Sequence, residues 1–192
     1  MVWARDFGYR IKLVASVRKN SDGAIFASVY PALLPLSDVV ANVNDVYNAV
    51  SLCGDVVGRT VHIGRGAGQD ATASAVIADI ADAVQYLSGA PVRPPVAVSA
   101  DAKLATLEEV SGEFYLRMEV PDESGVLASI AKDLASEGIS IELLQQRKHE
   151  TAGKAWLLLT THATTEAAVK RVCNKLREAP YVYDEPFLLR KG

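Results

Sequence analysis

Residues 121–127 have the sequence Pro-Asp-Glu-Ser-Gly-Val-Leu, and this segment lies between a predicted strand and a predicted helix. Within residues 113–120 every second side chain is apolar, which is typical of a half-buried strand. Apolar residues at helical spacing then run from Val126 to Leu134. The segment is therefore a short acidic turn that leads from a strand directly into an amphipathic helix.

This turn suits a small anionic ligand. The first turn of a helix has unpaired N–H groups and a positive dipole end, both of which favour a carboxylate. Gly125 has no side chain, so a ligand can approach the backbone closely. A pocket for a free amino acid is one interpretation, and an ordinary strand–helix turn with an acidic N-terminus is the alternative.

The rest of the second half predicts a βαββαβ arrangement. Two further strands are predicted at residues 139–147 and 155–161, and a last strand at 181–189. A second helix begins near Thr165, whose hydroxyl can cap it. Two helices on one face of a four-stranded antiparallel sheet give a ferredoxin-like fold. Because such a core is small, we expect it to dock against a second copy.

The first half, residues 1–90, predicts a partial mixed or antiparallel sheet with one covering helix at 71–87. Residues 31–43, which contain two prolines, are predicted to form a loop. A proline-rich linker is predicted over 91–110, so the chain is expected to be an α+β protein of two parts. The four strands of the first half are predicted at residues 9–18, 24–30, 48–53 and 58–63.

Composition indicates a globular protein without nucleic-acid or membrane partners. Apolar residues make up 49% and charged residues 22% of the 192 residues, which is close to average usage. The net charge of −3 argues against nucleic-acid binding, and no apolar run is long enough to span a membrane. Cys53 and Cys173 lie far apart in apolar contexts, which favours reduced thiols and a cytoplasmic location. The three histidines lack partners at metal-ligand spacing, so no metal site is predicted.

A glycine cluster, residues 64–68, joins a predicted strand to a helix that begins near Thr72. Such a loop can place a helix N-terminus against an anion. It differs from a dinucleotide fingerprint because its third glycine comes too early and no βαβ unit surrounds it. A simple turn is the alternative. No serine or cysteine lies in a nucleophile motif, so no catalytic residue is predicted.

The second half resembles an ACT domain, the small-molecule-sensing module of amino-acid biosynthetic enzymes. The matching residues are 120–128 (Val-Pro-Asp-Glu-Ser-Gly-Val-Leu-Ala), 138–141 (Gly-Ile-Ser-Ile) and 158–162 (Leu-Leu-Thr-Thr-His). The resemblance implies an effector site for an amino acid, with threonine expected as feedback inhibitor. The implied effector-binding residues are Asp122, Glu123, Ser124, Gly125, Val126, Leu127 and Gln146.

The first half resembles the end of the catalytic region of homoserine dehydrogenase. The matching residues are 8–13 (Gly-Tyr-Arg-Ile-Lys-Leu), 41–44 (Ala-Asn-Val-Asn), 47–50 (Tyr-Asn-Ala-Val), 64–68 (Gly-Arg-Gly-Ala-Gly) and 72–76 (Thr-Ala-Ser-Ala-Val). Two departures are Tyr30-Pro31, where the family often has His-Pro, and Arg65, where it often has proline.

That family reduces aspartate semialdehyde to homoserine with NADPH or NADH, on the route to threonine and methionine. Its Rossmann domain and its catalytic lysine and aspartate lie upstream of the matching part, so these 192 residues are expected to be inactive alone. The resemblance also implies a dimer or a higher homo-oligomer. The alternative is a stand-alone, non-catalytic amino-acid-sensing or dimerisation module. The residues implied to lie near the NAD(P) cofactor of the full-length enzyme are Gly64, Gly66, Ala67, Gly68 and Thr72.

Overall fold

The computed structural model of the chain describes residues 2–20, 22–89, 102–106 and 109–192. The helices are α1 (Val2–Asp6), α2 (Gln69–Leu87), α3 (Val126–Ser136) and α4 (Glu166–Arg177), and Val40–Asn42 form a 3-10 turn. The strands are β1 (Tyr9–Lys19), β2 (Ile25–Pro35), β3 (Tyr47–Gly54), β4 (Gly58–Arg65), β5 (Ser111–Gly112), β6 (Phe114–Pro121), β7 (Ile141–Lys148), β8 (Lys154–Thr161), β9 (Thr164–Thr165) and β10 (Phe187–Lys191).

The described residues form two compact units. One comprises Ile11–Leu34 and Ala102–Gly192, and the other comprises Val2–Arg10 and Pro35–Asp101. Among the described residues, no helix combines the length and the apolar character needed to cross a membrane. Most of the predicted linker, residues 91–110, lies outside the described residues, and the predicted boundaries at 90 and 111 stay a prediction.

The first unit confirms the predicted ferredoxin-like arrangement. Strands β10, β6, β8 and β7 are neighbours in that order, and each adjacent pair is antiparallel. The alternation in β6 puts its apolar side chains into one core with α3 and α4. Helix α4 is capped by Thr165, whose Oγ1 accepts a hydrogen bond from Ala168 N. The four core side chains of β6 are each at most 2% exposed: Phe114, Leu116, Met118 and Val120.

The first-half strands do not form one sheet. The β1–β2 hairpin extends the ferredoxin-like sheet on its β10 edge, giving a six-stranded mixed sheet with the order β1-β2-β10-β6-β8-β7. Strands β3 and β4 instead form a separate antiparallel hairpin in the second unit. The α+β class is confirmed, but α2, which was expected to cover the first-half sheet, contributes no buried residue.

Two predicted boundaries are wrong. Residues 31–35 continue β2 instead of starting a loop, because Ala32 and Leu33 pair in parallel with the end of β10 and are buried. The last strand begins at Phe187 instead of residue 181, since the preceding residues form turns that end at a buried Pro186, which has no N–H to donate.

A polar group braces the two helices of the first unit. Asp133 of α3 is 6% exposed, accepts a short hydrogen bond from the Tyr181 hydroxyl, and pairs with Lys175 Nζ of α4 at 2.8 Å. Burial opposes ionisation of Asp133, but its hydrogen bonds with Lys175 and Tyr181 outweigh burial and keep its pKa below the usual value. The same hydrogen bond, with burial and the charge of Asp133, raises the pKa of Tyr181 to about 12.

We expect this brace to make stability fall at alkaline pH. The pKa of the Tyr181 phenol is raised from 10.0 to about 12, so the unfolded chain loses this proton first as pH rises. The stabilisation is therefore fully present below pH 10 and is lost between about pH 10 and 12. The ultraviolet absorbance of tyrosine phenolate, followed as a function of pH, measures the pKa. The difference between the curves of the parent chain and the Tyr181→Phe variant gives the titration of Tyr181. The assignment fails if Asp133→Asn leaves the Tyr181 titration unchanged.

Candidate functional site

The predicted effector turn is a real strand–helix junction. Strand β6 ends at Pro121, α3 begins at Val126, and Gly125 is the N-cap residue with φ 95° and ψ −20°. That left-handed conformation favours glycine, and the space around the position is open, since an added Cβ would meet no atom within 4 Å. Gly125 gives α3 no side-chain cap, so the N–H groups of its first turn stay available to a ligand.

Strand β7 and the loop between β7 and β8 support this turn. Gln146 Nε2 of β7 donates a hydrogen bond to Asp122 Oδ1 at 2.8 Å, and Asp122 N donates to Gly153 O at 3.0 Å. The structure thus brings Asp122 and Gln146, which are 24 residues apart in sequence, to one place. The carboxylate of Asp122 is thus positioned by a neutral donor, and a ligand ammonium can pair with it.

The charge pattern of the turn suits a zwitterion. Residues 122–125 are exposed and carry two carboxylates, on Asp122 and Glu123, which favour an ammonium group. The helix N-terminus beside them favours a carboxylate. Leu127 is 40% exposed on the same first turn and offers apolar surface to a ligand side chain. An α-amino acid carries all three chemical groups.

A charged cluster beyond the turn was missed in the sequence. Glu119 of β6 is 9% exposed, forms a short ion pair with Lys154, and lies 3.8 Å from His149 Nε2. The hydrogen bond to Glu119 raises the pKa of Lys154, whose Nζ lies 4.4 Å from the centre of the Tyr183 ring. Because Lys154 directly follows Gly153, this cluster fixes the loop that binds Asp122 N.

The glycine cluster of the second unit links the end of β4 to the start of α2. Gly66 N donates to Val46 O at 2.9 Å, and Gly68, with φ 122°, is the N-cap residue of α2. Gly68 and Thr72 line a surface cavity of about 660 Å³ along the first turns of α2. All five residues implied to be near the cofactor are exposed; these two line the cavity, and Gly66 also has a packing role.

That packing role gives a direct test. A Cβ at Gly66 would lie 1.5 Å from Asn48 Nδ2 and 2.7 Å from Asn48 Cγ, whereas a Cβ at Gly64 would meet no atom within 4 Å. We expect Gly66→Ala to destabilise the second unit by about 1–2 kcal/mol, because Asn48 must move. Gly64→Ala is the matched control and should change stability by less than about 0.5 kcal/mol. Urea unfolding measures both, and equal effects would contradict the packing role.

Two family matches cover most of the chain. Residues 1–81 match the homoserine dehydrogenase family, and residues 114–180 match the ACT domain family. The glycine cluster lies in the first match, and the effector turn with Gln146 lies in the second.

Individual relatives agree with the family matches. The chain is 39% identical to a homoserine dehydrogenase of Neisseria gonorrhoeae over 88% of this chain and 40% of that protein. It is 37% identical to a homoserine dehydrogenase of Pseudomonas aeruginosa over 87% of this chain and 40% of that protein. A crystal structure of a homoserine dehydrogenase from Thiobacillus denitrificans superposes with a TM-score of 0.88 at 34% identity, covering 100% of this chain and 44% of that one. The chain therefore spans about two fifths of the length of the relatives that it matches.

Proposed function

Since this chain carries the C-terminal region of the homoserine dehydrogenase family followed by an ACT domain, we propose that the ACT domain binds threonine as a feedback effector. The observation that carries this proposal is the Gln146–Asp122 hydrogen bond of 2.8 Å beside the uncapped N-terminus of α3. It places a carboxylate for the ligand ammonium next to N–H groups for the ligand carboxylate. The remaining implied contact residues, Glu123 to Leu127, form the wall between them.

We propose that the complete protein interconverts aspartate semialdehyde and homoserine with NAD(P), in threonine and methionine biosynthesis. The residues of the first match that lie near α2, including Gly64, Ala67 and Thr72, would then face the cofactor side. Threonine at the ACT domain would act through a free-energy difference between two conformations or two dimer arrangements, typically about 1–3 kcal/mol. Assayed by themselves, these 192 residues are expected not to transfer hydride between homoserine and NADP.

Titration calorimetry tests the effector proposal. At the effector turn we expect threonine to bind more tightly than serine, isoleucine and methionine, since selectivity comes from the ligand side chain. Heat that persists in the Gly125→Asp variant does not come from this turn. Absence of heat with all four amino acids would overturn the proposal. Solution mass, measured with and without threonine, tests the homo-oligomer that we propose, and a monomer under both conditions would contradict it.

A single substitution tests whether threonine binds beside the Gln146–Asp122 hydrogen bond. Gln146→Leu removes the donor to Asp122 and should weaken threonine binding by about 0.5–1.5 kcal/mol, that is, two- to tenfold. Gln145→Leu is the matched control, because Gln145 is the exposed neighbour on β7 and lies on the other face of that strand. Equal losses of affinity in the two variants would argue against a ligand site at Asp122.

A further inference from the structure

Strands β2 and β10 are parallel neighbours for only a short distance. Their ladder consists of two residue pairs, Ala32 with Arg190 and Leu33 with Lys191. Among the described residues the ladder between these strands has no pair ahead of Ala32, and Pro31 has no N–H to donate to one. A slot of about 550 Å³ lies beside both strands, and all of the residues that line it belong to the first compact unit.

The residues that line the slot include consecutive positions of both strands. Because successive side chains of a strand alternate between faces, Val29 and Ser28 come from opposite faces, as do Leu189 and Arg190. Most of the wall is apolar, with Ile11, Val29 and Leu189 among its members, and Phe187 is 44% exposed there. The slot therefore offers an apolar compartment of small-molecule size.

Four polar side chains interrupt the apolar wall, namely Ser28, Tyr30, Glu166 and Arg190. Ser28 Oγ is buried and has no hydrogen-bond partner among the described residues, which is an uncommon state for a buried hydroxyl. Arg190, whose side chain is 7% exposed, donates to Glu166 Oε2 at 3.1 Å and to Ser111 O at 3.0 Å. Glu166 Oε1 pairs with Lys170 at 3.2 Å, and Lys170 is half exposed, so a ligand can replace it.

We propose that this slot is a second small-molecule site, which takes a zwitterionic amino acid with an aliphatic side chain. The lining holds one carboxylate, one guanidinium and one unpaired hydroxyl, so the site presents opposite charges and little net charge. A ligand ammonium can pair with Glu166, a ligand carboxylate can accept from Ser28, and an aliphatic side chain fills the apolar part. A purely cationic ligand lacks the carboxylate that accepts from Ser28, and a purely anionic ligand lacks the ammonium that replaces Lys170 at Glu166.

The test compares leucine with its two singly charged analogues. Isothermal titration of the 192-residue chain with leucine should give binding, while 3-methylbutylamine and 4-methylpentanoate should bind at least about tenfold more weakly. If all three compounds bind alike, the slot is only an apolar crevice and the zwitterion proposal is wrong. If none of them binds, the site itself is wrong.

Substitutions of Ser28 test whether leucine binds in the slot. Ser28→Ala removes the unpaired hydroxyl and should weaken leucine binding about three- to tenfold without lowering stability. Ser28→Val additionally fills space in the slot and should abolish binding, while thermal unfolding shows that the chain is folded. Ser37→Ala, at an exposed serine of the second unit, is the matched control and should leave leucine binding unchanged. Unchanged affinity in both Ser28 variants would overturn the proposal.

The two amino-acid sites are separable in the same experiment. Gly125→Asp changes the effector turn and should leave leucine binding intact, whereas Ser28→Val should leave threonine binding intact. Loss of leucine binding in Gly125→Asp would mean that leucine occupies the effector turn, which contradicts a second site.

Discussion

Replacing Gly125 by aspartate is expected to reduce threonine binding by more than about a hundredfold. Gly125 has φ 95°, and a Cβ there would point into open space, which is the space that the ligand needs. An aspartate adds a negative charge within a few ångströms of the ligand carboxylate, and such a contact costs about 4 kcal/mol near a protein surface. Titration calorimetry with the variant and the parent chain measures the loss.

Two alanine variants separate the charge from the backbone strain. Gly125→Ala introduces the strain of a left-handed residue without charge, and should weaken binding by less than Gly125→Asp. Gly138, at the other end of α3, has φ 70° and equally open surroundings. Gly138→Ala should therefore lower stability by about 1 kcal/mol, as Gly125→Ala does, and keep the affinity for threonine. If Gly138→Ala loses affinity as well, the effect comes from general destabilisation.

The second half of the chain was predictable because its signals are local. Alternation in β6, helical spacing in α3 and the Thr165 cap each involve residues within one element. The acidic turn could be located for the same reason. Its partner Gln146 followed from the resemblance, whereas the Glu119–Lys154 pair joins two strands and has no signature within either strand.

The placement of the β1–β2 hairpin was not predictable from local signals. Its contact with β10 joins Ala32 to Arg190 across almost the whole chain, and parallel pairing leaves no turn signature between the strands. Prolines at 31 and 35 further suggested a loop, because proline is rare in central strands. Burial of Ala32, Leu33 and Leu34 outweighs that preference, and the slot beside Pro31 is the structural consequence.

Arg190 should be the most costly polar residue to remove from the first unit. Its guanidinium is within 6 Å of the ring centres of Phe26, Tyr30 and Phe114, and it pairs with Glu166. Arg190→Met keeps much of the packing but leaves a largely buried carboxylate at Glu166 and an unpaired carbonyl at Ser111. We expect a loss of about 3 kcal/mol in the free energy of unfolding, because breaking a buried ion pair from one side is strongly destabilising. Urea unfolding measures it.

The matched control is an exposed pair. Arg171 and Glu137 lie 2.7 Å apart with side chains 60% and 24% exposed, so Arg171→Met should cost less than about 1 kcal/mol. Adding Glu166→Leu to Arg190→Met should recover part of the loss, since the largely buried carboxylate, which then has only the half-exposed Lys170 as a partner, is gone. If the double variant recovers nothing, the lost charge partner of Glu166 is not the main cost, and packing of the Arg190 guanidinium on Phe26 and Tyr30 of β2 accounts for the stabilisation. In that case the aromatic rings of β2, rather than the ion pair with Glu166 of α4, set the cost of removing Arg190.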